Sequence, residues 1–139
     1  MKIETSEFYL NTRGNFEVLD ITGRLARVLS DCSFHEGQLT VFVSGSTAGI
    51  TTIEFEPGLV EDLENFFERV APTNHNYRYE EAWHDGNGHS HIRSSLLKTQ
   101  MTFPFNRGKL LLGTWQQVVF VEFDNKPRKR QIIVQLLGI

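Results

Sequence analysis

Apolar and polar residues fall into blocks whose spacing changes several times along the chain. Lys2 to Leu10 reads as a strand, ended by the turn-forming residues Asn11, Arg13, Gly14 and Asn15. The period then becomes helical: Ile21, Leu25, Val28 and Leu29 recur behind Asp20, whose side-chain oxygen suits an N-cap, and Gly23 weakens that helix. Leu39 to Val43 and Ile50 to Phe55 are rich in β-branched and aromatic residues and flank the small-residue loop G-S-T-A-G, so they read as strand, loop, strand. Pro57 stands at a first helical position before Leu59, Leu63, Phe66, Phe67 and Val70, which form one apolar face until Pro72 stops the helix. Ile92 and Leu96 suggest a short third helix, with Asn87 or Ser90 as its cap. From Met101 the pattern returns to strands. Met101 to Phe105 and Lys109 to Leu112 flank the hairpin signal N-R-G, and Val118 to Phe123 and Gln131 to Leu137 flank D-N-K-P. The expectation is one compact α+β domain over residues 1–139, with antiparallel or mixed sheets, strands at both ends and two or three helices between them.

Composition narrows the function classes. With 14 Lys plus Arg against 17 Asp plus Glu, the net charge of -3 provides no basic field for nucleic acid. The single cysteine, Cys32, has no intrachain partner for a disulfide, and M-K-I-E-T-S-E lacks the apolar run of a signal peptide. No apolar stretch reaches the roughly 18 residues of a membrane span. A cytoplasmic protein without nucleic-acid or membrane partners is expected.

Chemistry concentrates in Trp83 to His91, W-H-D-G-N-G-H-S-H, which holds three of the five histidines. Glycine-rich backbone lets several imidazoles converge, so His84, His89 and His91 are candidate metal ligands. His89 and His91 point the same way only if the backbone between them is extended; in a helix they diverge by about 200°. A helix starting near Asn87 to Ser90 would instead favour an anion, with Gly88 letting backbone N–H groups approach a phosphate. The plain alternative is a polar surface loop. Gly45 to Gly49 could cradle an oxyanion or make a tight connection. Glu54, a carboxylate on an otherwise apolar segment, suits a general base, a ligand partner or a surface charge. Arg128, Lys129 and Arg130 read as a solvated strand edge or a phosphate contact.

Three separated motifs, G-S-T-A-G-I-T-T-I-E from Gly45, W-H-D-G-N-G-H-S-H-I-R from Trp83 and G-K-L-L-L-G-T-W-Q-Q from Gly108, together with R-K-R-Q-I-I-V-Q-L-L-G near the end, resemble the YjbQ-type family, often labelled secondary thiamine-phosphate synthase. The resemblance implies a homotrimer of compact α+β protomers with a histidine-containing pocket associated with a divalent metal, Zn or Mg. The implied activity joins hydroxymethylpyrimidine diphosphate to thiazole phosphate with release of pyrophosphate. Glu54, Asn87 and His91 become candidate catalytic residues, and Ser46, Thr47, Gly88, Trp115, Arg128 and Arg130 candidate contacts to a small phosphorylated molecule. The chain departs from the family at Gly45, where many members begin H-T-T-A, and at Tyr79, where many have the histidine of Y-x-H. A non-catalytic homotrimer binding a metal ion or a small anion is the alternative.

Overall fold

The computed structural model describes residues 1–139. In chain order the elements are β1 (Lys2–Asn11), β2 (Glu17–Asp20), α1 (Thr22–Ser30), β3 (Glu36–Val43), β4 (Ala48–Ile53), α2 (Pro57–Val70), α3 (Tyr79–Trp83), α4 (Gly88–Leu97), β5 (Gln100–Asn106), β6 (Lys109–Leu110), β7 (Gln117–Glu122) and β8 (Lys129–Gly138). They form an α+β domain with two sheets, ordered β1-β8-β3-β5-β6 and β2-β7-β4. Every strand pair is antiparallel.

The smaller sheet is covered on both faces. Along β7, Val118 and Phe120 enter the main core with Leu25, Leu39, Val41, Ile50 and Val134, between the sheets and α1. The alternate residues Val119 and Val121 join Phe123 and Phe67 of α2 in a second cluster on the other face. This explains the unbroken apolar run V-V-F-V, since a strand buried on both faces has no polar side. The N-R-G turn joins β5 to β6 with Arg107 and Gly108 both at positive φ, 52° and 71°, as a two-residue hairpin turn requires.

Several boundaries differ from the sequence reading. There are four helices, because Tyr79–Trp83 makes one short turn too brief to show a period. Helix α1 begins at Thr22 with Ile21 in the cap position; Asp20 Oδ1 instead accepts from the Thr22 amide at 3.0 Å. The four-residue β2 was too short to stand out among the turn residues before it. Strand β4 starts at Ala48 and stops at Ile53, so Glu54 lies outside it. Helix α2 matches its expected span, and Glu56 caps it by accepting from the Gly58 and Leu59 amides.

Two connections pass from one sheet to the other at the same end of the domain. Residues 44–47 lead from β3 to β4, and residues 123–128 lead from β7 to β8. The Phe123 amide donates to the Thr47 carbonyl at 3.0 Å and ties the two together. D-N-K-P is therefore a passage between sheets, with its polar groups turned toward a neighbouring loop.

Candidate functional site

A polar cleft of about 570 Å³ opens where these two connections meet α3 and α4. Its lining includes Ser46, Tyr79, Asp85, His91, Arg128 and Arg130. A second lobe of about 580 Å³ continues along α4 past Ser95 and Lys98 to Gln100. Gly45, Ser46 and His91 border both lobes.

The floor is a buried ion network. Glu122 at the end of β7 and Asp124 just beyond it are fully buried. Arg130 donates through Nε and Nη2 to both oxygens of Glu122, and through Nη2 to Thr47 Oγ1 at 2.8 Å. Thr12 Oγ1 donates to Glu122 Oε2 at 2.8 Å. Asp124 accepts from Thr47 Oγ1, Asn87 Nδ2, the Lys126 amide and Arg128. Burial alone would raise the Asp124 pKa, but the donors, Arg128 and Thr47 foremost, outweigh it and hold the carboxyl below its ordinary value. Arg130 is thereby fixed while its Nη1 makes no bond within the protein. A Cβ on Gly45 would lie 2.9 Å from that nitrogen, so glycine at this position leaves the donor open to the cleft.

Above the floor runs a relay of three side chains. His91 Nε2 lies 3.0 Å from Tyr79 Oη, and Tyr79 Oη donates to Asp85 Oδ2 at 2.9 Å. The phenol has one proton and an ionised carboxylate can only accept, so Tyr79 Oη accepts from His91 Nε2–H. In the neutral imidazole the lone pair then resides on Nδ1. The Tyr79 pKa is raised by burial, by the bond to Asp85 and by the nearby carboxylates, which keeps the proton this arrangement needs.

The three histidines of W-H-D-G-N-G-H-S-H do not converge. Helix α4 begins at Gly88, so His89 and His91 are both helical and diverge. His89 is buried, with Nε2 3.3 Å from Ser90 Oγ, and His91 faces the cleft. His84 ends α3 in a left-handed conformation and borders another depression with His75 and Glu81. No three His, Cys, Asp or Glu side chains are grouped to hold a metal ion, so the expected ligand set does not form within the chain.

At the start of α4 the chain's own carboxylates compete with the anion expected there. Glu80 accepts from the Gly86 and Gly88 amides, and Asp85 from the Asn87 amide. The protein's own carboxylates thus already hold three of the amides leading into α4, that of Gly88 among them. Gly88 is small because of packing: a Cβ there would lie 2.6 Å from Tyr77 Cβ.

The remaining candidates divide into two groups. Ser46 borders both lobes and makes no side-chain hydrogen bond, whereas Thr47 is committed to Asp124 and Arg130. Asn87 is buried, donating to Asp124 and accepting from Ser90 Oγ and the Asn125 amide, which makes it a positioning residue. Glu54 and Trp115 lie elsewhere. Glu54 follows the end of β4 opposite Thr47, about 20 Å away at the usual rise per residue. Trp115 is exposed in the turn before β7, whose first residue, Gln117, pairs with Ile53. The sequence reading missed Glu122, Asp124 and Asp85 as site residues. Glu122 carried a usable signal, as a carboxylate closing an otherwise apolar central strand.

The YjbQ-like UPF0047 family model matches residues 6–139. A UPF0047 protein of Methanothermobacter thermautotrophicus is 36% identical over 138 residues, covering 99% of this chain and 94% of the relative. One from Archaeoglobus fulgidus is 34% identical over 131 residues, covering 94% and 99%. A YbjQ-like protein from Sulfolobus solfataricus superposes with a TM-score of 0.94 at 31% identity, covering 99% of each chain. A hypothetical protein from Aeropyrum pernix gives 0.91 at 33% identity, covering 98% and 99%. Sequence and fold agree over nearly the whole length, and the chain belongs to the YjbQ-like UPF0047 family.

Proposed function

We propose that the cleft binds a small phosphorylated molecule and that the protein is a transferase of the thiamine-phosphate synthase type, joining hydroxymethylpyrimidine diphosphate to thiazole phosphate with release of pyrophosphate. The observation that carries this reading is His91, held through Nε2 by the Tyr79–Asp85 relay with Nδ1 unpartnered where the two lobes meet, beside the open Nη1 of Arg130.

In that reaction a bond forms between the thiazole ring nitrogen and the pyrimidine methylene carbon. The carbon–oxygen bond to the diphosphate breaks, and its electron pair leaves with pyrophosphate. The attacking nitrogen has no proton to lose, so no general base is required. The demands are alignment of the two substrates and stabilisation of the leaving oxygens. Arg130 Nη1 and the half-exposed Arg128 supply N–H donors. Protonated His91 would add an N–H at Nδ1 while keeping its bond to Tyr79. Fixed donors of this kind each contribute roughly 10²–10³ in rate.

The second reading is a non-catalytic homotrimer binding a small anion or a metal. What favours it over catalysis is that Asp124 and Glu122 already neutralise Arg128 and Arg130, which leaves less positive charge to stabilise a departing diphosphate. A divalent ion such as Zn or Mg would require donors from another subunit or from the ligand's own phosphates, and no step above passes through one. Both readings expect a trimer in solution and a cytoplasmic location; no helix is long and apolar enough to cross a membrane. Purified protein supplied with both precursors distinguishes them. Pyrophosphate release far above a His91→Ala control supports the transferase; precursor binding with no release in either protein rejects it.

A further inference from the structure

Lys98 adopts a backbone conformation that side chains rarely tolerate. It follows α4 at φ 78°, ψ 162°, a region occupied almost exclusively by glycine. Its neighbours fix it there. The Lys98 amide donates to the Ser94 carbonyl at 2.9 Å, ending the helix, and its own carbonyl accepts from the Ile50 amide of β4 at 3.0 Å. Strand β4 passes so close that a Cβ on Gly49 would lie 3.0 Å from the Lys98 oxygen and 2.7 Å from Leu97 Cδ2. The backbone thus dictates the conformation, and glycine would meet it without strain.

The lobe that Lys98 borders is lined by Gly45, Ser46, His91 and the polar residues from Ser94 to Gln100, with no carboxylate among them. Lys98 makes no ion pair. In the other lobe Arg128 and Arg130 face Asp124 and Glu122, and Lys129 Nζ lies 4.8 Å from the centre of the Tyr9 ring. The cleft therefore has one end where the positive charge is already balanced but Arg130 Nη1 remains an open donor, and another where the cation itself is unpaired.

We propose that Lys98 is a phosphate-binding residue of the second lobe, and that the cleft takes ligands with two anionic ends, one at Lys98 and one at Arg128 and Arg130. The inference rests on the phosphorylated-ligand reading and adds which end of the cleft holds an unpaired cation. The more highly charged diphosphate fits the end whose cation is unpaired, and a diphosphate at Lys98 with a monophosphate at Arg128 and Arg130 would place His91 between them. Strain at Lys98 is then retained because its ammonium contacts the ligand.

The test measures stability and binding separately, with inorganic pyrophosphate as the calorimetric probe and variants Lys98→Gly, Lys98→Ala, Lys98→Arg and Arg128→Ala. Glycine relieves the strain, so Lys98→Gly should raise Tm by about 3–6 °C while weakening pyrophosphate about tenfold. Lys98→Ala keeps the strain and loses the charge, so its affinity falls equally with little change in Tm. Lys98→Arg should bind within about threefold of wild type. If pyrophosphate binds wild type, weakens in Arg128→Ala and is unchanged in Lys98→Gly and Lys98→Ala, the Lys98 assignment is overturned and the ligand reading stands. No binding by wild type overturns both.

Discussion

Replacing Arg130 with methionine removes the guanidinium and its positive charge from the floor of the cleft and leaves a shorter, unbranched apolar side chain. Glu122 has no solvent exposure, and its remaining donors would be Thr12 Oγ1 at 2.8 Å and the Asp124 amide at 3.1 Å. Two neutral donors do not replace a guanidinium that bonded both carboxylate oxygens. Breaking a buried ion pair by removing one member costs about 3–5 kcal/mol, since the other charge stays buried without its partner. For a domain of this size about 1 kcal/mol corresponds to roughly 3–4 °C, so the variant should melt about 10–20 °C below wild type. A second substitution, Glu122→Gln, removes the stranded charge and should recover more than half of the loss. Circular dichroism melts of wild type, Arg130→Met, Glu122→Gln and the double variant close the thermodynamic cycle. The reasoning fails if Arg130→Met melts within about 3 °C of wild type, or if the double variant is no more stable than Arg130→Met.

Tyr79→Phe removes the acceptor from His91 Nε2 and leaves the rings in place. Pyrophosphate release should fall about tenfold or more for the lost hydrogen bond, with Tm nearly unchanged, and an unaltered rate would remove the relay from the mechanism. His89 gives a pH-dependent stability of definite sign. Burial, reinforced by Arg93, lowers its pKa below the ordinary 6.5, so the unfolded chain binds the proton more readily. This contribution is complete above pH 6.5 and is lost as pH falls toward the folded-state pKa. Melts between pH 7.5 and pH 5 should therefore show a steeper decline for wild type than for His89→Gln, and parallel curves would contradict the assignment.

Helix α2 was legible because Pro57, an apolar stripe and Pro72 are all local signals over fourteen residues. The strands were legible for the same reason, except β2, which is too short to show a period. The site was less legible because its function depends on pairings across the fold. Arg128 and Arg130 read as a solvated strand edge because the sequence does not disclose that the chain turns between the sheets and folds Asp124 and Glu122, four and eight residues earlier, beneath them. The histidine segment misled in the opposite direction. Its residue types matched metal chemistry, but the outcome depended on the helix starting at Gly88, and one residue of backbone geometry sends His89 inward and His91 into the cleft. Glu54 reads from the sequence as a carboxylate on the strand after G-S-T-A-G and so as a site candidate; the strand stops at Ile53, and its length carries Glu54 to the far end of the sheet.

The tie between the Thr47 carbonyl and the Phe123 amide also makes the cleft a sensor of sheet docking. Its groups come from Thr12, the 44–47 connection, α3, α4 and residues 122–131, so no fragment of the chain carries a complete binding surface. Loss of register between the sheets would separate Arg130 from Thr47 and Asp124 from Asn87 before either sheet unravelled. A ligand seated there acts as a rivet across the seam. It binds only the fully docked state, and at a hundred times its dissociation constant it should add about 2.7 kcal/mol to the stability. A small-molecule library can therefore be screened by melting temperature or by resistance to proteolysis, without knowledge of the reaction. Compounds that engage both connections should protect the whole domain as one cooperative unit.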